Sequence, residues 1–524
     1  MLTALVMNKI EFFAPLNQSI EPQLLGIEGV SEFQIPKFHL IGLPSQEVSE
    51  SKDRIRSAIL KSGFHFPKRK IIINLHPANI KKRGTGLDLA IALCILKIEP
   101  KNQLNLPFHR ILAWGELSLS GTVRKTPQLT RALHTAQVYH FECLLLPLAS
   151  KTDVITSLKY FKNFKPKIFF INHLSEIKNL LTQEPFDFKS ISSKPTFISH
   201  SHNETPLLPM SNYLNRLLLL ILCGKHHLIL LGPKGTGKSH FIDWLKHFEN
   251  SNFHPFSSQI LSILDLNQSK IPSTGKPNIR QISAQVRPSS LIGKLTPFET
   301  IPGEFTLAHE GYLIADEFLE WHRDSRELLR EPLESGKITL TRINSSQTLP
   351  SRFTFLATSN LCECGGWPEF FISTQHPHYK KCTCSIKNIK KYLTKLSGPI
   401  LDRIDSIGLF LNPVECLTDR NHSTKETEKS LSNKIESIKR NAIRLYSKPP
   451  GELTPTEVEE IIKKQELKWI DTELQWSSLR SRHKTIKLAL TLSLLDGKET
   501  PQKAHLQEAI WYRPEKVIEK ILTH

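Results

Sequence analysis

The run Gly232-Pro233-Lys234-Gly235-Thr236-Gly237-Lys238-Ser239 constrains this chain more than any other feature. A glycine-rich turn of this spacing curls the backbone until its N–H groups converge on one point, and such a point suits phosphate oxygens. The motif carries meaning only between a buried strand and a helix start. Both flanks are present, as the apolar run His227 to Leu231 and as a helical stretch from Ser239 to about Phe248. Gly232, Gly235 and Gly237 supply the tight backbone, with Pro233, Lys234 and Thr236 between them. Lys238 is expected to reach the β- and γ-phosphates, and the Ser239 hydroxyl to ligate Mg²⁺.

A second element fits the same chemistry. The apolar run Tyr312 to Ala315 ends in Asp316-Glu317, so a buried strand delivers two carboxylates at its tip. Asp316 is expected to hold Mg²⁺ through water, and Glu317 to polarise the attacking water. An apolar strand ending in Asp-Glu is common by itself; it gains weight after a complete phosphate loop. The separation between Lys238 and Asp316 is generous for neighbouring strands of one nucleotide domain. It predicts an insertion within about residues 262–300.

A chain of 524 residues predicts roughly two to four domains. Its 39% hydrophobic and 23% charged content is that of a globular protein with real cores. The formal net charge of +19 favours a polyanionic partner, nucleic acid or an anionic membrane surface. The charge is dispersed along the chain, so a solvated Lys-rich surface is the competing reading. Met1 to Phe13 lacks the pattern of a secretory signal. No apolar run reaches membrane length; Leu217 to Cys223 is far too short. The expected location is the cytoplasm, where eight cysteines do not read as a disulfide framework.

Residues 1–182 alternate apolar strands, such as Ile71 to Leu75 and Ile111 to Trp114, with helical patterns at Ser49 to Ser62 and Leu87 to Leu96. Residues 183–208 are rich in Ser, Pro and His and read as a linker. Residues 209–412 hold the nucleotide motifs. Residues 413–524 take helical period from about 425, in Leu431, Ile435, Ile438, Ala442 and Leu445, with a break at Pro449-Pro450-Gly451.

Four cysteines fall as Cys362-x-Cys364 and Cys382-x-Cys384. Two close pairs across a loop can offer four thiolates to a tetrahedral ion, and Zn²⁺ best matches all-sulfur ligation in a reducing compartment. The spacing is tighter than that of a zinc ribbon, so unpaired loop thiols and a redox pair stand as alternatives. His376 and His378, between the pairs, could replace a cysteine. A metal here would be structural, closing a loop beside the nucleotide core.

Taken in order, the motifs resemble the magnesium-chelatase-like AAA+ ATPases of the ComM/YifB type. The resemblance runs from Ile41-Gly42-Leu43-Pro44, Ser62-Gly63-Phe64 and Gly84-Thr85-Gly86-Leu87-Asp88-Leu89 through Pro302-Gly303-Glu304 and Leu307-Ala308-His309. It continues in Leu329-Arg330-Glu331-Pro332-Leu333-Glu334, Asn360 with the cysteine pairs, Leu396-Ser397-Gly398-Pro399 and Leu401-Asp402-Arg403-Ile404-Asp405. A weaker match follows in Ser478-x-Arg480 and His505-Leu506-x-Glu508-Ala509.

The resemblance covers nearly the whole chain and implies an α/β P-loop AAA+ core, a parallel sheet with flanking helices. It adds an N-terminal Lon-protease-like α+β domain and a C-terminal helical lid. It implies a ring, usually hexameric, that uses ATP and Mg²⁺. Asn360, after the run Phe353 to Ala357, matches the sensor that orients the attacking water, against an ordinary turn residue. Arg403 matches the arginine finger that reaches the neighbouring subunit's ATP, against an ion pair with Asp402 or Asp405.

The chain also departs from the pattern. The second sensor arginine falls at Lys487 or nearby Lys484, where lysine keeps the charge and loses the planar fork. The basic segment expected before Ser289 reads Gln285-Val286-Arg287. A Lon-like protease needs a serine activated by a lysine; those positions hold Gly86 and Thr130, and Thr85 has no evident base, so the first domain is expected to be protease-inactive.

The resemblance therefore implies an ATP-driven motor on branched or single-stranded DNA, a helicase or branch-migration activity in natural transformation or recombination. The alternative is a protein-remodelling ATPase similar to a magnesium-chelatase motor subunit. Candidate DNA contacts are Lys68-Arg69-Lys70, Lys81-Lys82-Arg83 and Arg280.

Overall fold

The computed structural model describes residues 11–16, 22–158 apart from 83, 105 and 107, 161, 164–179, 185, 211–251, 279–296, 300–342, 345–367, 382–410, 424–467, 469–474 and 478–523. The expected linker (Pro185 apart), much of the expected insertion, His376 and His378 lie outside the described residues.

The first part is built on a seven-stranded mixed sheet. Its strands are β1 (Glu11–Leu16), β2 (Gln23–Glu32), β3 (Phe38–Ile41), β4 (Lys70–His76), β5 (Arg110–Ala113), β8 (Cys143–Pro147) and β9 (Lys167–Ile171), in the order β3-β4-β2-β1-β5-β8-β9. A small hairpin, β6 (Glu116–Leu117) and β7 (Val123–Arg124), lies apart from it. In β4 the inward residues Ile71, Ile73 and Leu75 are fully buried and the residues between them are half-buried. That alternation marks a sheet packed on one face. Helix α1 (Gln46–Lys61) and the almost wholly apolar α2 (Asp88–Ile98) cover it, followed by α3 (Leu129–Val138) and α4 (Lys151–Leu158).

Gly86 and Thr130, which the resemblance sets against a serine and a lysine, are built into this core. A Cβ on Gly86 would stand 2.4 Å from the indole of Trp114. That indole is held by its Nε1–H donating to the Pro127 carbonyl at 3.0 Å. Thr130 is buried. No side chain fits at 86 unless Trp114 moves.

The second sheet is five-stranded and fully parallel, with β10 (Leu228–Leu231), β11 (Ile279–Ile282), β14 (Tyr312–Ala315), β17 (Thr354–Ser359) and β18 (Ser406–Leu409) in the order β11-β14-β17-β10-β18. Successive residues of β10 and β14 alternate between two separate cores. Leu228, Leu230, Tyr312 and Ile314 enter one; Ile229, Leu231, Leu313 and Ala315 enter the other. A parallel sheet covered on both faces reads as continuous apolar runs, which is why these strands were legible. Helix α5 (Asn212–Gly224), capped by the Ser211 side chain, and α6 (Lys238–Ser251) lie on the first face.

Two hairpins project from this body, β12 (Gly293–Leu295) with β13 (Thr300–Pro302) and β15 (Lys337–Arg342) with β16 (Ser345–Pro350). Beyond the second sheet come α7 (Ile386–Leu393) before β18, and α8 (Thr424–Tyr446), α9 (Pro455–Lys464), α10 (Leu479–Leu495), α11 (Lys503–Tyr512) and α12 (Pro514–Thr523) after it. Among the described residues no helix is long and apolar enough to cross a membrane.

The C-terminal helices are fastened to the starting edge of the parallel strands. Asp405 accepts the His227 N–H at 2.8 Å and pairs with Lys484 of α10, which also donates to the Arg403 carbonyl at 2.7 Å. Burial alone would raise the Asp405 carboxyl, but Lys484 and the neighbouring histidines hold it well below the carboxylate range. Lys487 donates to the Gly451 carbonyl at 3.3 Å. Neither lysine therefore stands at the phosphate loop of its own chain, which leaves the opposite end of β10; both lie at the edge that carries Arg403.

Two candidate DNA contacts have partners within the chain. Lys82 is buried with its ammonium on the Pro77 carbonyl, and Arg280 gives two N–H groups to Glu304 at 2.6 and 2.9 Å. Arg83 lies outside the described residues, whereas Lys68 is exposed.

Burial pushes His134, His227 and His309 down to about 4. Two of them use Nδ1 as an acceptor, His227 from the Phe355 N–H and His309 from the Arg352 N–H, both at 3.1 Å. Unfolded histidine binds its proton near pH 6.5, so the unfolded state takes up more protons as pH falls from there. Stability is fully present above pH 6.5 and is lost towards pH 4, by about 1.4 kcal/mol per pH unit for each histidine. Urea midpoints measured across this interval should fall steadily; a flat profile would contradict the assignment.

Candidate functional site

The parallel register assembles the site. Leu231 lies beside Ser359, and Ala315 beside Ala357, so the residues leaving β10, β14 and β17 emerge on one edge in adjacent files. The Gly232 N–H bonds the Ser359 carbonyl at 3.2 Å, carrying the pairing one step past the strand.

The loop Gly232 to Ser239 then turns into α6. Gly235 and Gly237 take φ of +85° and +93°, a region L side chains adopt only with strain. The Thr236 hydroxyl donates to the Pro233 carbonyl at 2.9 Å and closes the curl. The Phe241 N–H bonds Gly237 O at 3.1 Å, and the N–H groups earlier in the first turn have no intrahelical acceptor. The positive end of the helix dipole and these donors form an anion cradle. The Lys238 ammonium lies across the loop, donating to the carbonyls of Gly232 at 2.6 Å and Pro233 at 2.7 Å and to Asn360 Oδ1 at 3.4 Å. Burial pushes Lys238 down to about 8, with Asp316 and Glu317 pulling the other way.

Asp316 is half-buried at the end of β14, and Glu317 is exposed. The Thr358 hydroxyl donates to Asp316 Oδ1 at 2.5 Å, leaving the other carboxylate oxygen for a cation. The Glu317 N–H bonds Asp316 Oδ1 at 3.2 Å, and Glu317 itself sits at φ +48°. A glutamate held in this left-handed region is a local strain of the kind found at functional sites. The donor set fits a nucleotide with Mg²⁺: a hydroxyl at Ser239, a carboxylate at Asp316 and a buried ammonium between phosphate-binding N–H groups.

Arg403 is elsewhere. It lies in the turn before β18, at the strands' starting edge, and donates from Nε to the Arg330 carbonyl at 3.0 Å and from Nη1 to Pro399 O at 2.7 Å. Its Nη2 pairs with Glu334, which also holds Arg480. The carboxylate partner is therefore neither Asp402 nor Asp405. An arginine in this place cannot serve its own chain's phosphate loop, which opens at the other edge.

The four cysteines converge. Cys362 Sγ lies 3.4 Å from Cys364 Sγ and 3.8 Å from Cys382 Sγ, Cys364 and Cys382 are 3.6 Å apart, and all four sulfurs lie within 4.8 Å of one another. A tetrahedron of thiolates with Zn–S bonds of 2.3 Å has edges of about 3.8 Å, so the arrangement fits the ion. Burial would raise the Cys364 thiol, but the N–H groups of Thr383 and Gly366 outweigh it and bring the group down to about 6. Two residues at the site were not singled out by sequence reasoning. Thr358 carried a signal, a hydroxyl in an apolar strand two residues before Asn360. Gly365, whose carbonyl accepts the Lys234 N–H at 3.0 Å, carried none beyond its place in the cysteine run.

With this geometry in hand, comparison with known families is informative. Residues 211–415 match the family described as magnesium chelatase, subunit ChlI. Residues 27–150 match subunit ChlI of Mg-chelatase, and residues 425–513 match the magnesium chelatase subunit ChlI C-terminal family. The chain is 28% identical over 506 residues to the uncharacterized protein YifB of Salmonella typhimurium, covering 94% of this chain and 93% of that one. It is 28% identical over 513 residues to the competence protein ComM of Haemophilus influenzae, covering 96% of each.

Thr358→Val keeps the shape and removes the hydroxyl that orients Asp316. Nucleotide affinity in the presence of Mg²⁺ should weaken by about tenfold, the worth of a hydrogen bond to a charged group, while affinity without Mg²⁺ stays unchanged. Equal loss under both conditions would remove Thr358 from the cation site.

Proposed function

Since the chain belongs to the magnesium-chelatase-like family of the ComM and YifB type, we propose that it is an AAA+ ATPase that forms a ring and acts as a motor on DNA. The observation that carries the reading is the meeting of Lys238, Asn360, Asp316 and Glu317 at one edge of the parallel sheet, beside an anion cradle. Lys238 and the loop N–H groups hold the triphosphate. Ser239 and Asp316 hold Mg²⁺, which neutralises charge on the phosphates when bound. Glu317 takes up the attacking water's proton, and the Asn360 amide orients that water. Arg403, at the opposite edge, completes the site of the next copy, placing positive charge at its γ-phosphate. The four cysteine thiolates hold a Zn²⁺ ion. The first domain, without a serine–lysine pair, serves assembly or partner contact.

The DNA reading draws on the net charge of +19 and on the ComM relative's name as a competence protein. Phosphate contacts give sequence-independent, salt-sensitive affinity. Turnover measured without DNA and with single-stranded, duplex and forked DNA, at low and moderate salt, tests it. Forked or single-stranded DNA should stimulate hydrolysis, less so at moderate salt, and Glu317→Gln should abolish it. Turnover indifferent to every DNA would end the DNA-motor reading and favour protein remodelling.

The trans role of Arg403 has its own check. Lys238→Ala and Arg403→Ala should each be inactive. Mixed in equal amounts they should recover a substantial fraction of the ATPase, because an intact loop then meets an intact arginine. Mixtures that stay inactive would contradict a shared site.

A further inference from the structure

The thiol centre and the phosphate loop are one mechanical unit. Asn360 leaves β17, and within five residues the chain passes Cys362, Cys364 and Gly365. The Gly365 carbonyl accepts the Lys234 N–H at 3.0 Å. The Gly365 N–H is itself bonded to the Cys362 carbonyl at 3.1 Å, and the Trp367 N–H bonds the Cys362 sulfur at 3.4 Å. Cys362 is buried in the core on one face of the parallel sheet. The turn that carries Gly365 therefore hangs between a buried cysteine and the cluster that Cys364, Cys382 and Cys384 complete. Asn360, at the root of the same turn, touches the Lys238 ammonium at 3.4 Å.

We propose that a soft divalent cation on the four thiolates sets the affinity for nucleotide, by fixing the Gly365 carbonyl that holds Lys234. The inference rests on the Zn²⁺ reading above and adds a task to it. A cation binds the thiolate form, so it displaces the thiol protons and replaces the weak contacts between Cys362, Cys364 and Cys382 with metal–sulfur bonds that draw all four sulfurs to one point. With the cation in place, the turn is closed and the loop's Lys234 N–H has a fixed acceptor. Without it, the turn opens, Lys234 loses that acceptor, and the cradle must be ordered by the nucleotide itself, which lowers affinity. The chemistry after binding uses Glu317 and Asn360 on rigid strand ends, so the effect falls on nucleotide affinity more than on turnover at saturation.

Gly365 separates the cation from its effect. It sits at φ +76°, and a Cβ there would stand 3.4 Å from Lys234 Cβ. Gly365→Ala keeps all four cysteines while straining the turn against the loop.

The test uses the full chain and three readouts: metal content, the thiolate-to-metal absorption after Co²⁺ replacement, and binding of a fluorescent ATP analogue in Mg²⁺. One metal per chain with a tetrathiolate Co²⁺ spectrum is expected. Removing it with a thiol-directed chelator, with far-UV circular dichroism unchanged, should weaken analogue binding by about tenfold or more, and adding Zn²⁺ should restore it. Gly365→Ala should retain the metal and weaken binding by about fivefold, with KM for ATP raised and kcat little changed. If the metal is bound but neither treatment shifts analogue binding, the coupling is wrong and the Zn²⁺ reading survives. If no metal binds and the analogue binds normally, both fall.

Discussion

The pairing of β10 between β17 and β18 is the interaction on which the site depends. Each strand is buried on both faces, so its register is set by two cores at once. A one-residue slip would send Leu228 and Leu230 into the core that now takes Ile229 and Leu231, and the two faces are lined by different partners. Because the register holds, Gly232 follows Leu231 at the level where Asn360 follows Ser359, and Asp316 follows Ala315 beside Thr358. The chemistry of the edge is thus a consequence of apolar packing several residues away.

That dependence explains what was legible. Strands buried on both faces show as unbroken apolar runs, and the residues after them stand out because polarity begins abruptly, as at Gly232 and Asp316. The loop needs positive φ at Gly235 and Gly237, so its glycines are visible as well. Boundaries were less legible: β10 begins at Leu228, because His227 spends its N–H on Asp405 and its ring on Phe355. Thr358 was missed because its signal, a hydroxyl in an apolar strand two residues before Asn360, acquires a meaning only when its neighbour across the sheet, Asp316, is known. The edge that Lys484 and Lys487 reach was not legible, because spacing along a helix does not say which edge of a sheet that helix crosses. That Gly86 carries no side chain is plain in the sequence, but only packing shows Trp114 filling the space beside it.

The two edges of the parallel sheet have opposite characters. The edge where strands end gathers donors and a half-buried carboxylate around a cradle for polyanions. The edge where they begin carries Asp405, Lys484, Arg513 and two buried histidines, whose polar contacts lie within the chain, and burial favours the neutral form of both histidines. A buried pair such as Asp405 with Lys484 contributes little net stability against an apolar alternative, yet removing one partner leaves the other stranded at a cost of about 3–5 kcal/mol. It therefore acts chiefly as a registration device: α10 can dock at this edge in one way only. Docking α10 here also brings Arg480 to the Glu334 carboxylate that holds Arg403.

In the ring proposed above, Arg403 would be the element through which the two edges communicate between copies. Its fork is satisfied on two carbonyls and one exposed carboxylate, and only the carboxylate contact is readily exchanged for a stronger anion. Glu334 offers one negative charge, shared with Arg480; a triphosphate offers several. An arriving phosphate would draw the fork's free end away from Glu334 while Arg330 O and Pro399 O keep its base fixed, so the arginine is positioned before it is used. Releasing half of Glu334 strengthens its hold on Arg480, and through Arg480 on α10. In the proposed ring, nucleotide bound at one copy's strand ends would in this way tighten the helical segment docked at the next copy's strand starts, with the Arg403–phosphate contact as the one link added between copies.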